Sequence, residues 1–73
     1  MAQNIMQIKT LRESAGLSQP QLAAAMGVAQ SAVSNWETET YLPRVRQLPL
    51  LAGVLGCEYN DLFVQRPYTY PSA

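Results

Sequence analysis

Apolar side chains recur along this chain at spacings that gather them on one side of a helix. In the first segment Ile5, Ile8 and Leu11 stand three apart and Ala15 follows at four, with Asn4 placed to cap and Gly16 to end the element. The pattern predicts a helix over 4–15. "SQPQ" at 18–21 has the form of a capping box, with Ser18 as cap, Pro20 in the first turn and Gln21 reaching back, so a second helix runs through Leu22, Ala23 and Met26 to Gly27. Only Val28 and Ala29 separate it from the next periodic stretch, about 29–38, which implies a very tight turn between two helices. "TETYLPR" has no period and reads as a loop. A fourth helix covers about 46–55 and stops at Gly56, with Pro49 near its start or kinking it, and a short fifth covers about 58–63 with Tyr59, Leu62 and Phe63 on its buried side. The fold class expected is all-α, one compact five-helix domain over 1–65, followed by a loosely ordered tail at 66–73.

The third of these segments is unusual in its polar half. At about 100° per residue, Ala29, Ala32, Val33 and Trp36 fall on one side, and Gln30, Ser31, Ser34 and Asn35 fall on the other. Amphipathic helices commonly turn such a side to solvent, but solvated sides are mostly filled with Glu and Lys. Here every polar group before Glu37 is an amide or a hydroxyl. Amides suit the reading of base edges, because Gln or Asn pairs in bidentate fashion with adenine, and a serine hydroxyl donates or accepts at several bases. A tight two-helix unit is also the architecture that presents a helix to the major groove. Trp36, on the Val33 side, is expected in the core rather than as a stacking platform.

Composition narrows the function without fixing it. The 73 residues include five basic and five acidic ones, so nothing attracts the chain to polyanions in general and nucleic-acid binding must come from local placement. One cysteine, Cys57, and no histidine exclude an internal disulfide and leave no ligand set for a metal; Cys57 is expected as a small buried residue. With no clustered carboxylates either, neither nucleophile nor general base is in evidence, so the chain is not expected to be an enzyme or to carry a cofactor. Runs such as "LPLLAGVLG" are too short to span a bilayer, and a soluble, cytoplasmic protein with no membrane partner is expected.

"GLSQPQLAAAMGVAQSAVSNWE" resembles the Cro and phage-repressor class of helix-turn-helix proteins, also called the xenobiotic-response-element family. The matching places are Gln19 opening the second helix, Ala23 where the two helices cross, Gly27 at the turn, and Val33 and Trp36 packing the third helix. The likeness continues through "LPRVRQLPLLAGVLGCEYNDLF", so it spans about residues 4–63 and implies a lambda-repressor-like fold. It also implies that Gln30, Ser31 and Asn35 contact bases, with Ser34 beside them and expected to join them, and that Gln19 touches a phosphate while steadying Gln30. Ser18, Arg44, Arg46 and Lys9 complete the expected phosphate contacts. Arg12 and Glu37 correspond to a partly buried ion pair that ties the first helix to the end of the third.

A small domain with few cations needs a second copy to bind DNA well, because two weak heads on one duplex act at a raised effective concentration. In the fourth helix Val45, Leu48, Leu51, Ala52 and Leu55 share the core side, whereas Leu50 and Val54 point the other way beside Gly53. Those three are the expected homodimer interface, to which Tyr68 and Tyr70 could add. The partner expected is double-stranded DNA, and the role a repressor acting on an inverted-repeat operator. An antitoxin or restriction-control protein, with the tail holding a protein partner, and a protein-interaction module that does not touch DNA are the competing readings.

Overall fold

In a computed structural model, residues 5–64 are described; Asn4, the tail at 66–73 and Tyr68 and Tyr70 lie outside the described residues. Four α-helices follow one another: α1 (Ile8–Ser14), α2 (Gln19–Met26), α3 (Gln30–Thr38) and α4 (Leu48–Leu55). A 3-10 turn at Val45–Gln47 leads into α4, and a second at Tyr59–Leu62 follows it. Ile8, Leu22, Val33, Leu51 and Leu62 are fully buried, one from each helix and one from the second 3-10 turn, and Trp36 and Met6 close the core around them. Helix α2 packs against both α3 and α4, while α1 packs against α3.

The helix-turn-helix unit forms for local reasons. Ser18 Oγ accepts from the Gln21 backbone N–H at 3.2 Å, and the Gln21 side chain accepts from Ser18 N–H at 2.8 Å, so two N-terminal donors are satisfied reciprocally. Pro20 sits in the first turn, where its missing N–H removes no bond. At the other end Gly27 takes φ 70°, a left-handed conformation, and the Val28 N–H then donates to Ala23 O at 3.0 Å to close the helix. After that reversal Val28 and the extended Ala29 follow before α3 begins.

Several expectations are corrected. The first helix begins at Ile8, not at residue 4, because the chain before it is extended: Met6 bridges antiparallel to Phe63, with Gln7 N–H donating to Leu62 O at 2.9 Å and Val64 N–H to Ile5 O at 2.8 Å. Ile5 is therefore exposed and Met6 fills the core in its place. The fifth helix is only a single 3-10 turn, too short to bury more than one side chain. Leu62 goes in, whereas Tyr59 stays half exposed with its ring 5.5 Å from that of Phe63. Val45, expected in the core, is 80% exposed, because its 3-10 turn packs substantially against α4 alone while the ring of the preceding Pro43 is buried instead. Val54 is half-buried against the core rather than pointing away from it, Cys57 is likewise half-buried, and Ala29, before the helix, is exposed. Pro49 lies in the first turn of α4 and does not kink it.

Candidate nucleic-acid interface

The sorting of α3 into two sides holds in the fold. Val33 and Trp36 are buried against α1 and α2 neighbours, and Ala32 is half-buried. Gln30 and Ser31, in the first turn, are exposed, and Ser34 and Asn35 are half-exposed one turn later. No acidic or basic side chain interrupts this surface until Glu37, and Glu37 is turned inward.

Glu37 is the centre of a chain of polar contacts. Arg12 Nε donates to its Oε2 at 2.6 Å and Nη2 to its Oε1 at 3.3 Å, while Arg12 Nη1 donates to Leu17 O at 2.8 Å. The two side chains retain only 11% and 5% of their exposure. Gln19 Nε2 donates to the same Oε1 at 2.9 Å, and Gln30 Nε2 donates to Gln19 Oε1 at 3.4 Å. Burial alone would push the Glu37 carboxyl up. The hydrogen bonds from Arg12 and Gln19, with the charges of Arg12 and Lys9, outweigh it and hold the carboxyl below the usual carboxylate range. The same bond to Glu37 raises Arg12 further above its ordinary value. The expected tie between the first and third helices is thus present, and Gln19 does reach Gln30.

The basic residues flank α3. Lys9 shares a cleft with Trp36 and Glu37 on one side, and Arg44 shares another with Ala32, Trp36 and Gln47. Arg44 and Arg46 are exposed, as are Lys9 and Ser18, whereas Gln19 is half-buried by its two amide contacts. The Arg44 backbone is fixed by its N–H donating to Gln47 Oε1 at 2.8 Å. At the interface expected between copies, Leu50 is 52% exposed and Gly53 is exposed beside it on the same helix.

Sequence reasoning missed Glu39. It follows α3 with φ 57°, the sole non-glycine residue in the left-handed region among those described. Its carboxylate accepts from Ile5 N–H at 2.9 Å and from Met6 N–H at 2.8 Å, which pins the extended segment before α1 against the end of α3. The position reads as a glycine or asparagine site at a helix end, and nothing local signals that an acid there would capture backbone donors more than thirty residues away.

The described residues hold no group of three or more His, Cys, Asp or Glu arranged for a metal, and no helix long and apolar enough to cross a membrane. Burial, with the charge of Asp61, pushes the Cys57 thiol up, toward its unreactive protonated form.

No curated protein matches this chain. Among solved structures, the crystal structure of a hypothetical transcription factor, NHTF, from Neisseria is similar with a TM-score of 0.69 at 19% identity, covering 85% of this chain and 82% of that one. The helix-turn-helix family model matches residues 8–62, from the first residue of α1 to the end of the last 3-10 turn. With that match, and with two helices joined by a three-residue turn that expose an uncharged polar surface on the second, the chain belongs to the Cro/C1-type helix-turn-helix family of DNA-binding regulators.

Proposed function

We propose that the protein is a sequence-specific transcriptional repressor that binds an inverted-repeat operator as a homodimer, with α3 lying in the major groove. The observation that carries this reading is the α3 surface of Gln30, Ser31, Ser34 and Asn35, exposed or half-exposed and free of charge, with the Gln30 amide held from behind by Gln19. Gln30 and Asn35 are the residues able to pair in bidentate fashion with a base, and the two serines adjust to whichever base lies beside them. Ser18 and Gln19 at the start of α2, with Lys9 and Arg44 beside α3 and Arg46 in the 3-10 turn before α4, supply phosphate contacts that set register.

Zero net charge does not oppose this reading. Glu37 is paired inside with Arg12, which takes one charge of each sign off the surface, while Lys9, Arg44 and Arg46 remain exposed, so the placement of these cations counts rather than the total. Leu50, with Gly53 and the half-buried Val54, is the patch assigned to the partner copy, since exposed leucine beside glycine on a helix offers close approach.

The test separates reading from clamping. Selection of bound sites from random duplexes should return an inverted repeat with half-sites about 10 base pairs apart, centre to centre. At one fixed salt concentration, Gln30→Ala should cost about 1–3 kcal/mol on the selected site and much less on scrambled DNA, whereas Arg44→Ala should weaken both alike. Equal losses for Gln30→Ala on both duplexes, or a selected site without twofold symmetry, would put the protein-interaction reading first.

A further inference from the structure

We propose that the charge of Glu37, acting through Gln19, sets which way round the Gln30 amide faces and thereby makes it select adenine over guanine. The inference rests on the reading of Gln30 as a base-contacting residue and adds to it a positioning residue buried behind the surface. A carboxylate can only accept. Glu37 Oε1 therefore requires the NH2 end of Gln19, at 2.9 Å, and this leaves Gln19 Oε1 as the end that faces Gln30. That oxygen in turn requires the NH2 end of Gln30, at 3.4 Å. With one N–H committed inward, Gln30 offers its Oε1 and its remaining N–H outward. This edge of one acceptor and one donor complements adenine N6–H and N7; guanine, with acceptors at both O6 and N7, sets a lone pair against Gln30 Oε1.

The polarity is transmitted because Gln19, the middle of the line, has both ends of its amide used. Arg12 holds Glu37 from the other side through Nε at 2.6 Å and Nη2 at 3.3 Å, so the carboxylate stays ionised and fixed. In Glu37→Gln, the shorter bond to Arg12 Nε claims the new side chain's oxygen, and its NH2 takes the place of Oε1 opposite Gln19, with the longer 3.3 Å bond from Arg12 Nη2 given up. Gln19 must then turn its oxygen toward residue 37 and its NH2 toward Gln30. Gln30 turns as well, with its oxygen inward and its NH2 outward. One buried change of charge, nowhere in contact with a base, inverts the hydrogen-bonding sense of the reading residue.

The experiment uses the whole chain and sets of duplexes that differ at a single base pair. Gln30→Ala first identifies the position that Gln30 reads, as the one where preference among bases disappears. At that position the wild type should prefer adenine over guanine by at least about fivefold. Glu37→Gln, checked for folding by circular dichroism, should lower that ratio by about fivefold or more or reverse it, with the ratios at positions read by Asn35 unchanged. Gln19→Leu keeps the Arg12–Glu37 pair and removes the relay together with the phosphate contact of Gln19; the lost phosphate contact lowers affinity on all four bases alike, so it is the flattening of the ratio beyond that uniform loss that decides the matter if Glu37→Gln fails to fold. An unchanged adenine-to-guanine ratio in a folded variant, or an equal loss of affinity on all four bases, overturns the relay while leaving Gln30 as a reader. If Gln30→Ala alters preference at no position, the reading surface itself fails and the relay with it.

Discussion

Removing the Glu37 side chain is the perturbation whose cost the structure allows to be worked out most directly. Glu37→Ala deletes the acceptors of Arg12 Nε at 2.6 Å, Arg12 Nη2 at 3.3 Å and Gln19 Nε2 at 2.9 Å. The guanidinium is left nine-tenths buried with a single remaining bond, from Nη1 to Leu17 O at 2.8 Å. Breaking a buried pair by removing one partner costs about 3–5 kcal/mol. The retained Leu17 bond and the 11% of the Arg12 side chain that reaches water place this case at the lower end, about 3 kcal/mol. At roughly 4–8 °C per kcal/mol for a domain of this size, the melting midpoint should fall by about 12–24 °C. Urea titration followed by Trp36 fluorescence is a suitable assay, since the indole is 2% exposed and reports unfolding directly. Adding Arg12→Met to Glu37→Ala should recover about 2 kcal/mol, because it removes the orphaned charge and leaves an apolar filling. A single-variant loss below about 1 kcal/mol, or two variants whose losses simply add, would refute the argument that the desolvated arginine dominates.

Three further outcomes are expected. Because the Glu37 carboxyl lies below its unfolded value, its contribution to stability is complete above about pH 4.3 and is lost as pH falls through its folded value; thermal melts between pH 7 and 3 should show a steeper decline for the wild type than for Glu37→Gln, and parallel curves would count against it. Glu39→Ala should destabilise the fold by about 2 kcal/mol in chemical denaturation, since it keeps the left-handed backbone and loses bonds to Ile5 and Met6, while Glu39→Gly should recover about 1 kcal/mol of that; an alanine variant as stable as the glycine one would contradict the strain at φ 57°. Leu50→Glu should convert a sedimenting dimer into a monomer without lowering the melting midpoint of the monomer fold, as Leu50 is half exposed; a monomeric wild type at micromolar concentration, free and on DNA, would remove the proposed interface.

By itself the sequence determined the helix-turn-helix unit: the reciprocal bonds of Ser18 and Gln21, the left-handed turn at Gly27 and the sides of α3 depend on residues within one or two turns of each other, where spacing carries the information. Resemblance to the family, rather than spacing, anticipated the Arg12–Glu37 pair. Only the tertiary structure decided where α1 starts, since Asn4 and Ile5 fit a helix pattern, but Glu39 and the strand-like residue Phe63 compete for the backbone of Ile5 and Met6 and keep it out of the helix. The same is true of Val45 and Tyr59, whose apolar character and spacing suit a core that no neighbouring element extends far enough to provide. The joint between Glu37 and Gln19, which turns the anticipated Arg12–Glu37 and Gln19–Gln30 contacts into one line, belongs to this second kind as well. The line's members come from α1, α2 and α3, and the direction of each hydrogen bond depends on a partner 11 to 25 residues away, which no local period can encode.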